Sequence, residues 1–278
     1  MDKDKLCEKL TEHLEVIKKC SIQTEQGTVL LATVMESRYP YVYPRDSSSA
    51  SMLFRQMVEK GLDSNDNAFN LLKGTAKFIA SVQEENGQWG QRYGLNGQNK
   101  SIYIQEDNTA YGAIILANYL LACYSRQEEP DELEDYLKRI KKAIQYALKY
   151  FYREEIFLFF STTGIHESAI EKGYSIWVNH VYILFFNLIL QLTNKFNLKG
   201  LFEEELSFKC RFCQSVHRRF ILSDRFVRRI TKDGTFDLRP DVTLMSPVYF
   251  QCKEGHCDSC VLDENPDIIN NSVNFMVE

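Results

Sequence analysis

Residues 177–192 read WVNHVYILFFNLILQL, and the fold class turns on whether this run spans a membrane or forms the core of a soluble domain. Asn179, His180, Asn187 and Gln191 interrupt it, and it falls short of the ~20 consecutive apolar residues a span requires. A buried core helix is therefore predicted over Ser175–Phe196. Outward from it, apolar residues recur at helical spacing. Lys5–Lys19 places Leu6, Leu10, Leu14 and Ile17 on one face, and a second helix is expected after Asp46, its cap, as far as Lys60 before Gly61. Further helices are predicted over Asn67–Glu85, Asn108–Tyr124 with Asp107 as cap, Glu132–Tyr152 after Pro130, and Leu201–Leu222, with a new one beginning near Asp267. Gly27–Met35 reads as a short extended piece, and Ser223–Pro266 is irregular.

The chain has 278 residues, 44% hydrophobic and 26% charged, which excludes disordered, collagenous and low-complexity classes. Only 13 Gly and 6 Pro are present, too few for a turn-rich sandwich or barrel and in keeping with long helices. No linker divides the helices, so 1–278 reads as one helical domain. Formal net charge is −5, which gives no electrostatic reason to expect nucleic acid or an anionic membrane as partner. The N-terminus lacks the apolar stretch of a secretion signal, so a cytoplasmic protein is expected. The basic run His217-Arg218-Arg219 through Arg228-Arg229, interspersed with Asp224 and Asp237, reads as a solvated helix end rather than a nucleic-acid patch.

Three polar, aromatic connections are candidates for a site. In Tyr39-Pro40-Tyr41-Val42-Tyr43-Pro44-Arg45-Asp46, Tyr39, Tyr41, Tyr43 and Arg45 offer the flat faces and planar hydrogen-bonding forks suited to sugar rings and paired hydroxyls. The plainer alternative is a turn with Asp46 as a cap and Arg45 at the surface. In the second, Trp89 can stack, and Gln105 and Asp107 can bond hydroxyls. The alternative there is a partly buried Trp and a capped helix start. In the third, His166-Glu167-Ser168 precedes an aromatic helix. A Glu in a low-dielectric cleft has a raised pKa and suits a general acid near neutral pH, whereas an isolated loop Glu is merely solvated.

Taken in order and helical context, Tyr39 to Asp46, Gln105-Glu106-Asp107-Asn108-Thr109-Ala110, the Glu167 connection and Asp237 to Leu244 resemble the glucoamylase family of glycoside hydrolases. The resemblance covers most of the chain. It implies an all-α (α/α)6 toroid of six helical hairpins that releases glucose from non-reducing ends of α-glucans with inversion, and needs no cofactor. By position, Arg45 and Asp46 would bond hydroxyls of the terminal glucose and Tyr39 would stack near its ring. Gln105 and Asp107 would line the pocket, and Glu167 would be the general acid. Tyr43 stands where the family usually has Trp, and His166-Glu167-Ser168 replaces the common Trp-Glu-Glu, so the contact to a second sugar is in doubt. The family's general base would come after Glu278, and no residue here matches it. About eight of twelve helices are counted, so an incomplete barrel is expected. The partners this implies are a malto- or isomalto-oligosaccharide or related α-glucoside, and a complementing C-terminal chain or a second copy. A non-catalytic glucan-binding or regulatory protein on the same scaffold is the alternative, and a helical interaction protein without a sugar site is a third reading.

Eight cysteines without a secretion signal read as free thiols or metal ligands rather than a disulfide framework. Cys210 with Cys213 and Cys257 with Cys260 form two Cys-x-x-Cys pairs, a donor set that could hold a structural zinc. Buried or reactive thiols are the alternative.

Overall fold

The computed structural model describes residues 3–63, 65–166, 170–250, 265 and 267–277. The sequence reads as one helical domain, whereas its contacts group into two compact units, residues 1–102 with 111–142 and residues 103–110 with 143–278.

In the first unit, α1 (Lys3–Lys19) leads into a hairpin of β1 (Ser21–Thr24) and β2 (Gly27–Leu30), paired from Ser21↔Leu30 to Thr24↔Gly27. The extended piece expected over Gly27–Met35 is thus shorter, and its partner strand carried no separate signal. Helix α2 (Pro44–Glu59) begins earlier than expected because Pro44 occupies its first turn, where a fixed φ fits and the missing N–H costs nothing. Asp46 is therefore not the cap. It lies in the first turn, where a carboxylate meets the positive end of the helix dipole. Helix α3 (Asn67–Ser81) is capped from a distance, by the Asp63 carboxylate accepting from the amides of Ala68 at 3.1 Å and Phe69 at 2.8 Å. The helix stops before the expected Glu85. The side chain of Gln83 instead donates to the carbonyls of Gly87 and Arg139 at 2.9 and 3.1 Å. The hairpin lies directly on α3 at Gly74, where an added Cβ would come within 2.2 Å of the Thr28 carbonyl oxygen.

Helix α4 (Asn108–Arg126) is buried on every face from Asn108 to Cys123, as a helix apolar all round must be. Its one amide in this unit, Asn118, is satisfied. It donates to Ser51 Oγ at 2.9 Å and accepts from Arg55 at 3.2 Å, tying α2 to α4. Helix α5 (Leu133–Tyr150) brings Tyr136 edge-on to Tyr119, with ring centroids 5.8 Å apart.

The second unit is organised on α6 (Ile176–Lys195), the element quoted at the outset. By length and composition it is apolar enough to cross a membrane, yet 83% of its most apolar stretch is buried inside the protein. It is a core helix, as predicted. Its polar residues serve the packing: Asn179 accepts from the Phe159 amide at 2.8 Å and donates to the carbonyls of Phe159 and Ser175 at 3.1 and 2.8 Å. This clips the hairpin of β3 (Tyr152–Arg153) and β4 (Leu158–Phe159) onto the helix. The ring of Phe159 stacks on Tyr182 at 3.7 Å between centroids.

The helix expected over Leu201–Leu222 is two, α7 (Glu203–Ser207) and α8 (Lys209–Arg219). Glu205 anchors the first by accepting from Gln145 at 2.8 Å, while Phe208, at the break, turns its ring edge-on to Tyr152. The region expected to be irregular carries structure. A hairpin of β6 (Ile221–Leu222) with β7 (Arg225–Phe226) precedes β8 (Arg229–Thr231) and β9 (Phe236–Asp237), and these last two join β5 (Gly173–Ser175) in an antiparallel sheet ordered β5-β8-β9. A 3-10 turn (Val242–Met245) capped by Asp241, helix α9 (Ser246–Tyr249) and α10 (Asp267–Val277) follow. Among the described residues the chain is helix-dominated with four small sheets, so the all-α description is corrected to that extent.

Candidate active site

The first unit holds the Tyr39–Asp46 candidates. Val42 pairs with Tyr93 as an isolated bridge, Val42 N donating at 3.0 Å and Tyr93 N at 2.9 Å. This delivers the chain to Pro44 and the start of α2. Arg45 and Asp46 follow in the first turn, with Arg45 Nε 3.6 Å from Asp46 Oδ1 and Asp46 the more exposed of the two. Tyr39 is half exposed, available for the flat-face contact expected of it. Tyr43 is buried. Its hydroxyl accepts from Arg92 at 3.0 Å, and the same guanidinium lies 4.9 Å from the centre of the Tyr41 ring. Arg92 is thus a member of this cluster that spacing alone did not single out.

Trp89 is corrected. It is 2% exposed, its indole N–H donates to the Ile79 carbonyl at 2.8 Å, and Gly112 presses so close that an added Cβ would stand 2.3 Å from the ring. With a ring face and its only donor used inside the core, Trp89 is a packing residue and not a stacking platform.

The second unit holds Gln105, Asp107 and His166. Gln105 spends both ends of its amide internally: Nε2 donates to Gly164 O at 2.8 Å and Oε1 accepts from Asn108 at 2.9 Å. It braces the site rather than offering a free fork. Asp107 is buried at the start of α4. Glu106, passed over in the sequence, is buried too. Its Oε1 accepts from both the amide and the hydroxyl of Thr162, at 3.0 and 2.6 Å, while its backbone carbonyl accepts from the Tyr182 hydroxyl at 2.6 Å. Thr163 Oγ1 donates to Ile104 O at 2.8 Å. Residues 104–108 and 162–164 are therefore laced together by side chains.

Glu167, the expected general acid, lies outside the described residues, and so does Ser168. His166 before it is described, and the chain is described again from Ile170. His166 Nε2 lies 2.8 Å from Asp241 Oδ2, so it faces a carboxylate. Burial alone would push the Asp241 carboxyl up, but the Thr243 amide and His166 outweigh it and hold that carboxyl below the usual range. The run expected to be a solvated helix end is so at Arg218 and Arg219, exposed in the last turn of α8, but His217, Arg228 and Arg229 are buried and the expectation is corrected there. Arg228 donates to Asp237 at 3.0 Å and to Glu171, and its Nε lies 3.7 Å from Asp241. Burial lowers the pKa of Arg229, an effect opposed by Glu171 at 3.6 Å. The signal for this cluster was the alternation of Arg with Asp in RFVRRITKDGTFDLRPD, which reads equally well as an exposed loop.

Of the four candidate zinc ligands, Cys213 is a buried thiol that forms no disulfide and Cys210 is disulfide-bonded; Cys257 and Cys260 lie outside the described residues. A disulfide sulfur is not a thiolate ligand, so zinc at this set would require Cys210 in its reduced form.

No protein-family model and no curated protein matches the sequence. Solved structures do match the fold. A glycosidase variant superposes with a TM-score of 0.57 at 13% identity, covering 82% of this chain and 62% of its own, and a glycosidase variant in complex with glucose gives 0.56 at the same identity and coverage. A Streptococcus pneumoniae member of a family of metal-independent alpha-mannosidases, solved in a non-productive complex with alpha-1,6-mannobiose, gives 0.59 at 13% identity over 96% of this chain and 77% of its own. The chain spans 62% of the length of the first two. At these identities the likeness is one of fold, and the fold is that of helical glycosidases.

Proposed function

We propose that the chain carries the sugar-binding groups and general acid of a helical glycoside hydrolase acting on α-linked hexosides, with Glu167 as the acid. The observation that carries this reading is the likeness of fold to several glycosidases, and the order of Arg45-Asp46 and Glu167 in the sequence, which resembles the glucoamylase pattern, supports it. In the finer form of the proposal the helices follow the (α/α)6 plan, Arg45 and Asp46 bond hydroxyls of the terminal sugar, and Tyr39 lies against its ring. Glu167 protonates the departing glycosidic oxygen while water attacks the anomeric carbon from the opposite face. Inversion needs a second carboxylate about 6.5–9.5 Å from the acid to activate that water, and the resemblance assigns no residue of this chain to the role. A non-catalytic glucan-binding protein would share Arg45 and Asp46 and omit turnover.

The test is a panel of α-linked disaccharides of glucose and mannose, including maltose, isomaltose and α-1,6-mannobiose, scored for both binding and monosaccharide release. Release lost in Glu167→Gln supports the hydrolase. Binding without release supports the binding protein, and neither binding nor release removes the sugar site altogether. Zinc at Cys210, Cys213, Cys257 and Cys260 is a separate proposal, tested by metal analysis of reduced protein: one equivalent supports it and none refutes it.

A further inference from the structure

The chain between Ser161 and Gly173 is closed at its neck by backbone pairing. Ser161 N donates to Gly173 O at 2.8 Å, Gly173 N returns to Ser161 O at 3.0 Å, and Glu171 N donates to Thr162 O at 2.8 Å. Gly173 is suited to this place, since its φ of +151° and the Ile230 carbonyl, 2.4 Å from where a Cβ would stand, both exclude a side chain. Two side chains on this segment are linked to the same buried cation, Glu171 directly and His166 through a carboxylate. On one flank His166 contacts Asp241, whose Oδ2 lies 3.7 Å from Arg228 Nε. On the other, Glu171 accepts directly from Arg228 and again from Arg239 at 3.2 Å. Arg228 uses its remaining edge on Asp237 at 3.0 Å, which Arg239 also bonds at 2.6 and 2.9 Å. Arg228, Arg229 and Arg239 thus face Glu171, Asp237 and Asp241, an equal number of charges of each sign.

Arg228 is 5% exposed, and a guanidinium withdrawn from water that far is retained only where carboxylates meet its planar fork. Hydrogen bonds to Glu171 and Asp237 orient Arg228, and the Asp241 carboxylate pairs with its Nε at 3.7 Å, so both flanks of the segment are linked to one buried cation. Lysine, a point charge on a flexible stem, would not hold all three at once.

We propose that Arg228 is a positioning residue: acting through Asp241 and His166 on one side and through Glu171 on the other, it clamps both ends of the segment that contains Glu167. Its catalytic meaning rests on the reading of Glu167 as the general acid, whereas the clamp itself does not. A misplacement of reacting groups by about 1 Å can cost on the order of 10²-fold in rate, which is why an acid borne on a connecting segment needs such anchorage.

The test uses the full chain with Glu171→Gln, Asp241→Asn and their combination. These keep side-chain shape and retain an acceptor for the Thr243 amide at position 241, so folding is spared, whereas Arg228→Met would take one partner from three carboxylates at once. Hydrogen exchange is measured for amides of 161–173 and, as an internal reference, for α6. The proposal expects the double variant to exchange about tenfold faster over 161–173 with α6 unchanged, and each single variant to fall between. Where sugar release is detected, kcat should fall at least about tenfold with KM within about threefold, a split that general loss of structure does not produce. Unchanged exchange over 161–173, or equal acceleration in α6, overturns the clamp. Full activity in Glu167→Gln overturns the acid assignment alone and leaves the clamp to be judged by exchange.

Discussion

Gln105 donates from Nε2 to the carbonyl oxygen of Gly164 at 2.8 Å while its own Oε1 accepts from Asn108 at 2.9 Å. A residue expected to read sugar hydroxyls instead joins the start of α4 to the chain just before His166. Gln105→Leu keeps the bulk and removes both bonds, leaving a buried carbonyl and a buried amide unpaired. The expected cost is about 1–3 kcal/mol, read from the urea midpoint at unchanged m-value. Gln105→Glu should cost at least as much, because a carboxylate cannot donate to Gly164 O. A midpoint within error of wild type would show that the amide is dispensable.

Gly112 exists for Trp89. An alanine there would place Cβ 2.3 Å from the indole, and overpacking of this kind costs about 1–3 kcal/mol. Gly112→Ala should lower the melting temperature and alter the Trp89 emission. A variant as stable as wild type with unchanged emission would contradict the packing described here.

Trp89→Phe separates packing from binding. Because the ring is 2% exposed and bonded to Ile79 O, its replacement should reduce stability while leaving the affinity for any bound hexoside within about twofold, in contrast to hot-spot aromatics whose truncation costs 2 kcal/mol or more. A large loss of affinity at undiminished stability would restore Trp89 to the site.

The His180 imidazole is fully enclosed, its Nδ1 2.7 Å from Ser246 Oγ and its ring centre 5.9 Å from that of His217. Burial, with His217 adding to it, pushes the pKa of His180 well below the ordinary 6.5. The unfolded chain therefore binds a proton at a pH where the folded chain does not. The resulting stability is fully present above about pH 6.5 and is lost progressively as pH falls through 6.5 toward the depressed folded value. His180→Phe should flatten this acid-side slope in urea titrations between pH 7 and 5, at some cost at pH 7 from the lost Ser246 contact. An unchanged slope would remove His180 as its source.

Much of the fold is legible in the sequence because periodicity and turn chemistry act locally. The run 177–192 announces a core helix by interrupting its apolar residues with Asn and His, and α6 uses Asn179 and His180 for interior hydrogen bonds. Helix boundaries set at a distance were not legible. Asp63 caps α3 from outside the helix, and Phe208 breaks α7 from α8 to reach Tyr152. At the candidate site, Arg45 and Asp46 fall where a loop meets a helix, as read. The roles of Trp89, Glu106 and Arg228 depend on partners 10, 56 and 57 residues away along the chain, which no local pattern reports. A charged residue in a mixed run looks solvated until its counterions are located.

The most direct measurement follows release of monosaccharide from α-linked gluco- and manno-disaccharides by NMR, in wild type and Glu167→Gln at matched folding. The expected result is that at least one of these sugars is bound, that with the general base supplied by a complementing chain it is cleaved to the β-anomer first, and that Glu167→Gln lowers that rate by about 10²–10⁴-fold, the usual contribution of a general acid. Cleavage at an equal rate by both proteins, or no binding of any of these sugars by the wild-type chain, would contradict it.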